Sequence, residues 1–325
     1  MALVGLEELR AAQRRIAGVA VRTPLLPAPW AEDGHRRLWL KPENLQPTGA
    51  FKIRGAYNRL AQLTAAERAR GVVAQSSGNH AQAVAYAARQ LGITAVIVMP
   101  DGSPEVKVAA TRSYGAEVLL VPAAERDTRP AELVEEHGYV WVPPYDDPDI
   151  IAGQGTVGLE IGEDAPDELD TVLVPVSGGG LIGGTAAALK LTTPGVRVIG
   201  VEPELAADAR ESLRAGELRP WTTQERYRTL ADGLRSPVGV LNFAHLQAYV
   251  DDIVTVTEAE IRDTVAVLAR RGRLVAEPSG AVATAAYLHR AEELRGPGEL
   301  RGRCFAAVVS GGNLDPKLLS ELLTA

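Results

Sequence analysis

The chain has 325 residues, 46% of them hydrophobic, a formal charge of −7 and a single cysteine, Cys304. This is length enough for two modest domains around a sizeable core. The charge suits no nucleic-acid partner, and one cysteine excludes an intramolecular disulfide. With neither a signal peptide nor an apolar run of bilayer length, no membrane partner is expected and the expected compartment is the cytoplasm.

In chain order, residues 1–15 carry a charged amphipathic helix pattern, and Leu38-Trp39-Leu40 reads as a strand. Residues 48–56 follow, Thr-Gly-Ala-Phe-Lys-Ile-Arg-Gly-Ala. Of 34 basic residues only Lys41, Lys52, Lys107, Lys190 and Lys317 are lysines. Arginine fills the positions that need only charge, whereas lysine alone of the two can form a Schiff base. Lys52 has small neighbours, Gly49, Ala50 and Gly55, that let a ligand approach, and Phe51 to desolvate it. Taken alone it reads as a surface lysine at a helix start; the glycine-rich segments downstream turn the reading toward a Schiff-base lysine.

Val72-Val73-Ala74 reads as a strand leading into Gln75-Ser76-Ser77-Gly78-Asn79-His80. These small polar residues open a helix whose free first-turn amides can receive a carboxylate. His80 by itself reads as a structural histidine. Residues 95–100 and 117–121 form strand patterns around a helix over Glu105–Tyr114. The apolar run Thr171–Pro175 then enters Val176-Ser177-Gly178-Gly179-Gly180-Leu181 and a helix to Lys190. A strand, a glycine loop and a helix present backbone N–H groups to a phosphate. The loop is neither GxGxxG nor a P-loop, so a nucleotide is the weaker reading.

Residues 192–195 and 296–298 are loop-like, and the acidic stretch 201–208 follows another buried strand. Cys304 lies in the last strand pattern, as a packing residue. That strand ends in Ser310-Gly311-Gly312-Asn313, so Ser310 emerges where open α/β sheets bind ligands, although a turn serine would look the same. The βαβ rhythm predicts an α/β protein with parallel sheets.

Four ordered motifs together resemble the β-family (fold type II) of pyridoxal-phosphate enzymes, in its serine/threonine dehydratase and serine racemase branch. They are Lys41-Pro42-Glu43-Asn44-Leu45-Gln46 (preceded by Arg22-Thr23-Pro24-Leu25), the Lys52 segment, Ser-Ser-Gly-Asn-His and Ser310–Asn313. The tryptophan synthase β chain and cysteine synthase are less similar. The resemblance implies two parallel-sheet α/β domains of the tryptophan synthase β-like architecture. Residues 1–69 and 148–325 would form the large domain and 70–147 the small one, in a homodimer, with no regulatory domain after the last motif. Lys52 would bind pyridoxal 5'-phosphate, with Phe51, Asn79, Ser177, Gly178, Gly179, Gly180, Leu181, Glu277 and Ser310 also at the cofactor. Ser76, Ser77, Gly78, Asn79 and His80 would bind a small amino-acid substrate.

Glu202, the Ala206 carbonyl and Asp208 match the divalent-metal position of serine racemases, and oxygen ligands suit Mg²⁺ or Ca²⁺. Two carboxylates without a metal are the alternative. Ser77 matches a serine of the racemases where many threonine dehydratases carry alanine. It would be a second acid–base group, or else a carboxylate binder or helix cap. Tyr145 departs from the asparagine of animal serine racemases, so strict use of serine is not expected. The implied reaction converts a β-hydroxy amino acid (serine, threonine or a 3-hydroxyaspartate-like relative) to a 2-oxo acid and ammonia. The alternatives are a serine or aspartate racemase, a β-replacement synthase, and a non-catalytic α/β binding protein.

Overall fold

The computed structural model describes residues 2–103, 105–295 and 302–324; the loop at 296–298 lies outside them. The first stretch gives α1 (Leu6–Ile16), β1 (Leu26–Pro27), β2 (Arg37–Pro42), α2 (Lys52–Ala61) and α3 (Ala65–Arg70). Next come β3 (Val72–Gln75), α4 (Asn79–Leu91), β4 (Ala95–Pro100), α5 (Glu105–Ser113), β5 (Glu117–Val121), α6 (Arg129–His137) and β6 (Val140–Trp141). The middle holds α7 (Pro148–Asp164), β7 (Thr171–Pro175), α8 (Gly180–Thr192), β8 (Arg197–Pro203), α9 (Asp208–Ala215) and α10 (Thr223–Arg226). The last third holds α11 (Val240–Tyr249), β9 (Asp252–Val256), α12 (Glu258–Val267), α13 (Pro278–His289), α14 (Ala291–Leu294), β10 (Cys304–Val309) and α15 (Pro316–Thr324).

Two sheets organise these elements, in the orders β1-β2-β10-β7-β8-β9 and β5-β4-β3-β6. Every pairing is parallel except β1 with β2. Sequence patterning missed β1, a two-residue strand too short to alternate; its Pro27 is tolerated because the strand lies at a sheet edge. The first helix starts at Leu6 instead of at the N-terminus, and α5 stops one residue before Tyr114. β7 and β10 are buried along their whole length, as parallel strands covered on both faces must be. Ala307 of β10 pairs with both Leu40 and Leu173, which makes β10 a central strand.

Helix boundaries follow local chemistry. Asp147 caps α7 by accepting from the Asp149 and Ile150 amides, with Pro148 at the first helical position. Thr257 and Glu260 form a capping box at α12. One core packs α12 and α13 on the larger sheet, through Ile261, Val265, Val282 and Tyr287 against Leu38, Leu173 and Phe305. A second packs Ile53, Ala56 and Leu60 of α2 and Val84 of α4 on Val72 and Ile97. No helix among the described residues is long and apolar enough to cross a membrane. The loops carrying Ser76–Gly78, Ser177–Gly179 and Ser310 all leave the C-terminal ends of strands, where parallel sheets place ligands.

Candidate active site

Backbone pairing brings Lys52 to Ser310. Residues 49–51 run antiparallel to 310–312: Phe51 N donates to Ser310 O (3.1 Å), Gly312 N donates to Gly49 O (2.9 Å), and Ala50 bridges Gly311. Lys52 therefore opens α2 beside the end of β10. Its Nζ donates to Pro144 O at 2.7 Å and lies 5.2 Å from the centre of the Phe51 ring. It has no carboxylate partner among the described residues, and burial lowers its pKa to about 8. A fraction of it is thus an uncharged nucleophile near neutral pH.

The glycine loop has the form of an anion cradle. Gly179 takes φ 93°, a left-handed conformation that glycine adopts at no steric cost, and Gly180 begins α8. Among the described residues, the amides of Ser177, Gly178, Gly179, Gly180 and Leu181 donate to no protein acceptor. Enclosed, unpaired N–H groups at a helix N-terminus fit a phosphate dianion. The loop is held from behind: Asn242 Nδ2 and Gly239 N both donate to Gly178 O, at 2.7 and 3.1 Å. The Tyr145 ring lies so close that a Cβ on Gly178 would be 2.4 Å from it.

At α4, Ser76 Oγ accepts from Gly78 N at 3.1 Å, while the amides of Ser77, Asn79, His80 and Ala81 have no protein acceptor among the described residues. Such a set suits a substrate carboxylate. Gly78, and not Ser77, occupies the cap position, with no side-chain cap bond, so the capping alternative for Ser77 does not hold. His80 packs its Nε2 against Val142 O (3.1 Å); burial, then the nearby Lys52 charge, lowers its pKa to about 3. Its ring is neutral and engaged with the backbone, which leaves the amide as the group free to meet a ligand.

Asn79 Nδ2 donates to Glu277 Oε1 (2.6 Å), while Asn79 Oδ1 accepts from Asn313 Nδ2 (2.8 Å), which also donates to Thr48 O (2.7 Å). Burial, then Asp232, pushes the Glu277 carboxyl up to about 8 against the pull of Asn79. Ser310 is buried, and its Oγ donates to Ser279 O at 3.4 Å. Asn313 was not among the expected site residues, although it ends the Ser-Gly-Gly-Asn motif that contains Ser310. The lysine, the amide cradle and the buried polar chain through Asn79 together fit pyridoxal phosphate.

Glu202 is the next-to-last residue of β8 and accepts from the Ala209 and Arg210 amides, at 3.1 and 2.8 Å, so it caps α9. Asp208 begins that helix, and Ala206 lies in the turn between. Both carboxyls are buried: burial, then Asp208, pushes Glu202 well above the usual range, and burial raises Asp208. Among the described residues no group of three or more His, Cys, Asp or Glu side chains could hold a metal ion.

The chain belongs to the family described as pyridoxal-phosphate dependent enzymes, matching it over residues 16–307. It is 43% identical over 323 residues to the L-threonine dehydratase catabolic TdcB of Escherichia coli (strain K12), covering 98% of this chain and 96% of that one. Two solved structures share the fold closely. A threonine deaminase from T.th. is 44% identical with a TM-score of 0.88, over 96% of this chain and 99% of that one. The serine racemase of Dictyostelium discoideum is 36% identical with a TM-score of 0.89, over 97% and 100%.

Proposed function

We propose that this chain is a pyridoxal-phosphate-dependent ammonia-lyase that converts a β-hydroxy amino acid to a 2-oxo acid and ammonia. The candidate substrates are serine, threonine and a 3-hydroxyaspartate-like compound. The observation that carries the reading is Lys52: an amine with a pKa of about 8 and, among the described residues, no carboxylate partner, with five amides at residues 177–181 that are likewise unpaired among the described residues. The chain's similarity to a threonine dehydratase and a threonine deaminase supports the same activity.

Bound pyridoxal phosphate supplies an electron sink that acidifies the substrate's Cα–H. The amides of residues 177–181 would hold its phosphate at the head of α8, and Lys52 Nζ its aldehyde. Asn79 keeps one Nδ2 hydrogen beyond the bond to Glu277 and would direct it at the ring's 3-hydroxyl. Ser310 would face the ring nitrogen, and a hydroxyl cannot hold that nitrogen protonated as a carboxylate would. The amides at 77 and 79–81 would fix the substrate carboxylate. Lys52 Nζ, once released, would take the Cα proton. Phe51 and Tyr145 would exclude water from the site.

A second reading is favoured by one observation: the Ser77 hydroxyl makes no protein hydrogen bond among the described residues. It is therefore free to hand a proton to Cα from the other face, which would add racemase activity. The similarity to a serine racemase agrees with this. A divalent cation at Glu202, Ala206 and Asp208 is also proposed, since it would neutralise two buried acids. The assembly we propose is a homodimer. The functional reading is tested by incubating the holoenzyme with L- and D-serine, L-threonine and the 3-hydroxyaspartates, scoring 2-oxo acid and inverted enantiomer. Absence of both products from every substrate, in protein that binds the cofactor, would overturn it.

A further inference from the structure

Two motifs remain unused by this chemistry: Arg22-Thr23-Pro24-Leu25 and Lys41-Pro42-Glu43-Asn44-Leu45-Gln46. They converge on Arg54, two residues beyond Lys52. Two positions along a helix turn the side chain by about 200°. Lys52 thus turns toward Pro144 and the Phe51 ring, while Arg54 points the other way, into the protein, where it is fully buried.

Arg54 is gripped from both sides. Its Nε and Nη2 donate to the two Glu43 oxygens, at 2.7 and 2.8 Å. Its Nη1 and Nη2 donate to the two Glu160 oxygens, also at 2.7 and 2.8 Å. Thr156 Oγ1 takes the remaining Nη1 hydrogen at 3.1 Å, and Val21 O shares an Nη2 hydrogen at 3.1 Å. Lys41 Nζ donates to Glu160 Oε2 and to Thr23 O, each at 2.6 Å. Thr23 Oγ1 and Gln46 Nε2 donate to Glu43, at 2.6 and 3.1 Å. Four formal charges cancel in a cluster whose side chains are at most 5% exposed. Beside it α2 and α7 touch backbone to backbone: a Cβ on Gly153 would lie 2.6 Å from the Gly55 Cα.

A buried ion network is an inefficient source of stability, because desolvation offsets its attraction and apolar residues of equal volume often do as well. What it provides is fixed geometry: the bidentate forks of arginine allow little rotation. We propose that Arg54, held between Glu43 and Glu160, is the positioning residue for Lys52. It locks the rotation of the first turn of α2 on α7, and so the direction in which the Lys52 amine enters the site. This rests on Lys52 being the cofactor-binding lysine.

Arg54→Lys keeps the charge and loses both forks. In the holoenzyme kcat should fall roughly 10²-fold, the effect of misplacing a reacting group by about 1 Å, with KM changed by less than about threefold. In the cofactor-free protein, competitive labelling with an amine reagent against pH should show the Lys52 midpoint rising from about 8 toward the ordinary lysine value of about 10.4. If that variant does not fold, the double variant Lys41→Met/Glu160→Gln keeps the Arg54–Glu43 pair and the charge balance. It should retain the wild-type melting temperature, lose at least about tenfold in kcat, and show the same rise in the labelling midpoint. Wild-type kcat with an unmoved labelling midpoint overturns the proposal. So does a lowered melting temperature with an unmoved midpoint, which would make the cluster structural only. The labelling readout needs no cofactor, so the outcome is separable from a failure of the cofactor assignment. That failure would appear instead as a borohydride-reducible cofactor adduct persisting in Lys52→Ala.

Discussion

Glu277 Oε1 accepts a 2.6 Å hydrogen bond from Asn79 Nδ2 across 198 residues of sequence. Asn313 donates to the other end of the same amide, so the nitrogen and oxygen of Asn79 cannot exchange places. Gly311 makes room for this arrangement: a Cβ there would lie 2.1 Å from Glu277 Oε1. The carboxyl is thereby an acceptor toward Asn79 that need not carry a charge.

That has a consequence for pH. The folded Glu277 titrates at about 8 against an ordinary value of 4.5. Between those two pH values the folded chain retains a proton that the unfolded chain has lost. Its contribution to stability is therefore complete below about 4.5 and is lost as the pH rises to about 8, at roughly 1.4 kcal/mol for each pH unit of that interval. Glu277→Gln fixes the uncharged form and keeps an acceptor for Asn79. In cofactor-free protein the melting temperature of the wild type should fall relative to that of Glu277→Gln between pH 5 and 8, inside the interval between the unfolded and folded titrations. Parallel melting curves across the window would show that Glu277 is ionised.

Lys52→Ala should lose activity by roughly 10⁴-fold or more, since it would remove both the proposed covalent attachment and the proposed Cα base. The fold should persist, because among the described residues Nζ makes a single protein hydrogen bond, to Pro144 O. Borohydride reduction followed by peptide mass mapping should find the cofactor on residue 52 in the wild type and nowhere in the variant.

A divalent cation bound only to the native state, at roughly 100 times its Kd, would stabilise by about 2.7 kcal/mol. Chelator should therefore lower the melting temperature or the activity, and Mg²⁺ or Ca²⁺ should restore it. Asp208→Ala should abolish the response. An identical melting temperature with chelator and with either ion would leave Glu202 as a plain helix cap on the Ala209 and Arg210 amides.

The strands that place these residues were legible because they are short, mainly apolar runs leading into small polar residues, as at Thr171–Pro175 and Cys304–Val309. The glycine loop was legible because its chemistry is local. The Asn79–Glu277–Asn313 chain was not, because its partners lie 198 and 234 residues apart and leave no periodic trace. The same holds for Arg54, whose partners Glu43 and Glu160 sit 11 and 106 residues away. The division of the chain at 69–70 and 147–148 was drawn from resemblance. In the structure α2 contributes Ile53, Ala56 and Leu60 to the same core as the four-stranded sheet, so packing crosses the first of those boundaries.

Under the proposed function, Ser77 is the residue that would separate elimination from racemisation. If Lys52 takes the Cα proton as proposed, loss of the β-hydroxyl would need an acid near the leaving group and nothing on the opposite face. Inversion needs a donor on that face. Ser77 sits between β3 and α4, half-buried, its hydroxyl free of any protein partner among the described residues while Ser76 is engaged with Gly78 N. Ser77→Ala removes one oxygen and leaves the backbone amides that would hold the substrate carboxylate. Elimination from the L-substrate should be largely spared. Any racemisation, and any elimination from the opposite configuration, should fall by the roughly 10²–10⁴-fold typical of one positioned acid–base group. Cofactor binding should be unchanged in a spectral titration. Equal loss of both activities with intact cofactor binding would make Ser77 a substrate-binding residue. Full retention of racemisation would assign the second proton to another group on that face.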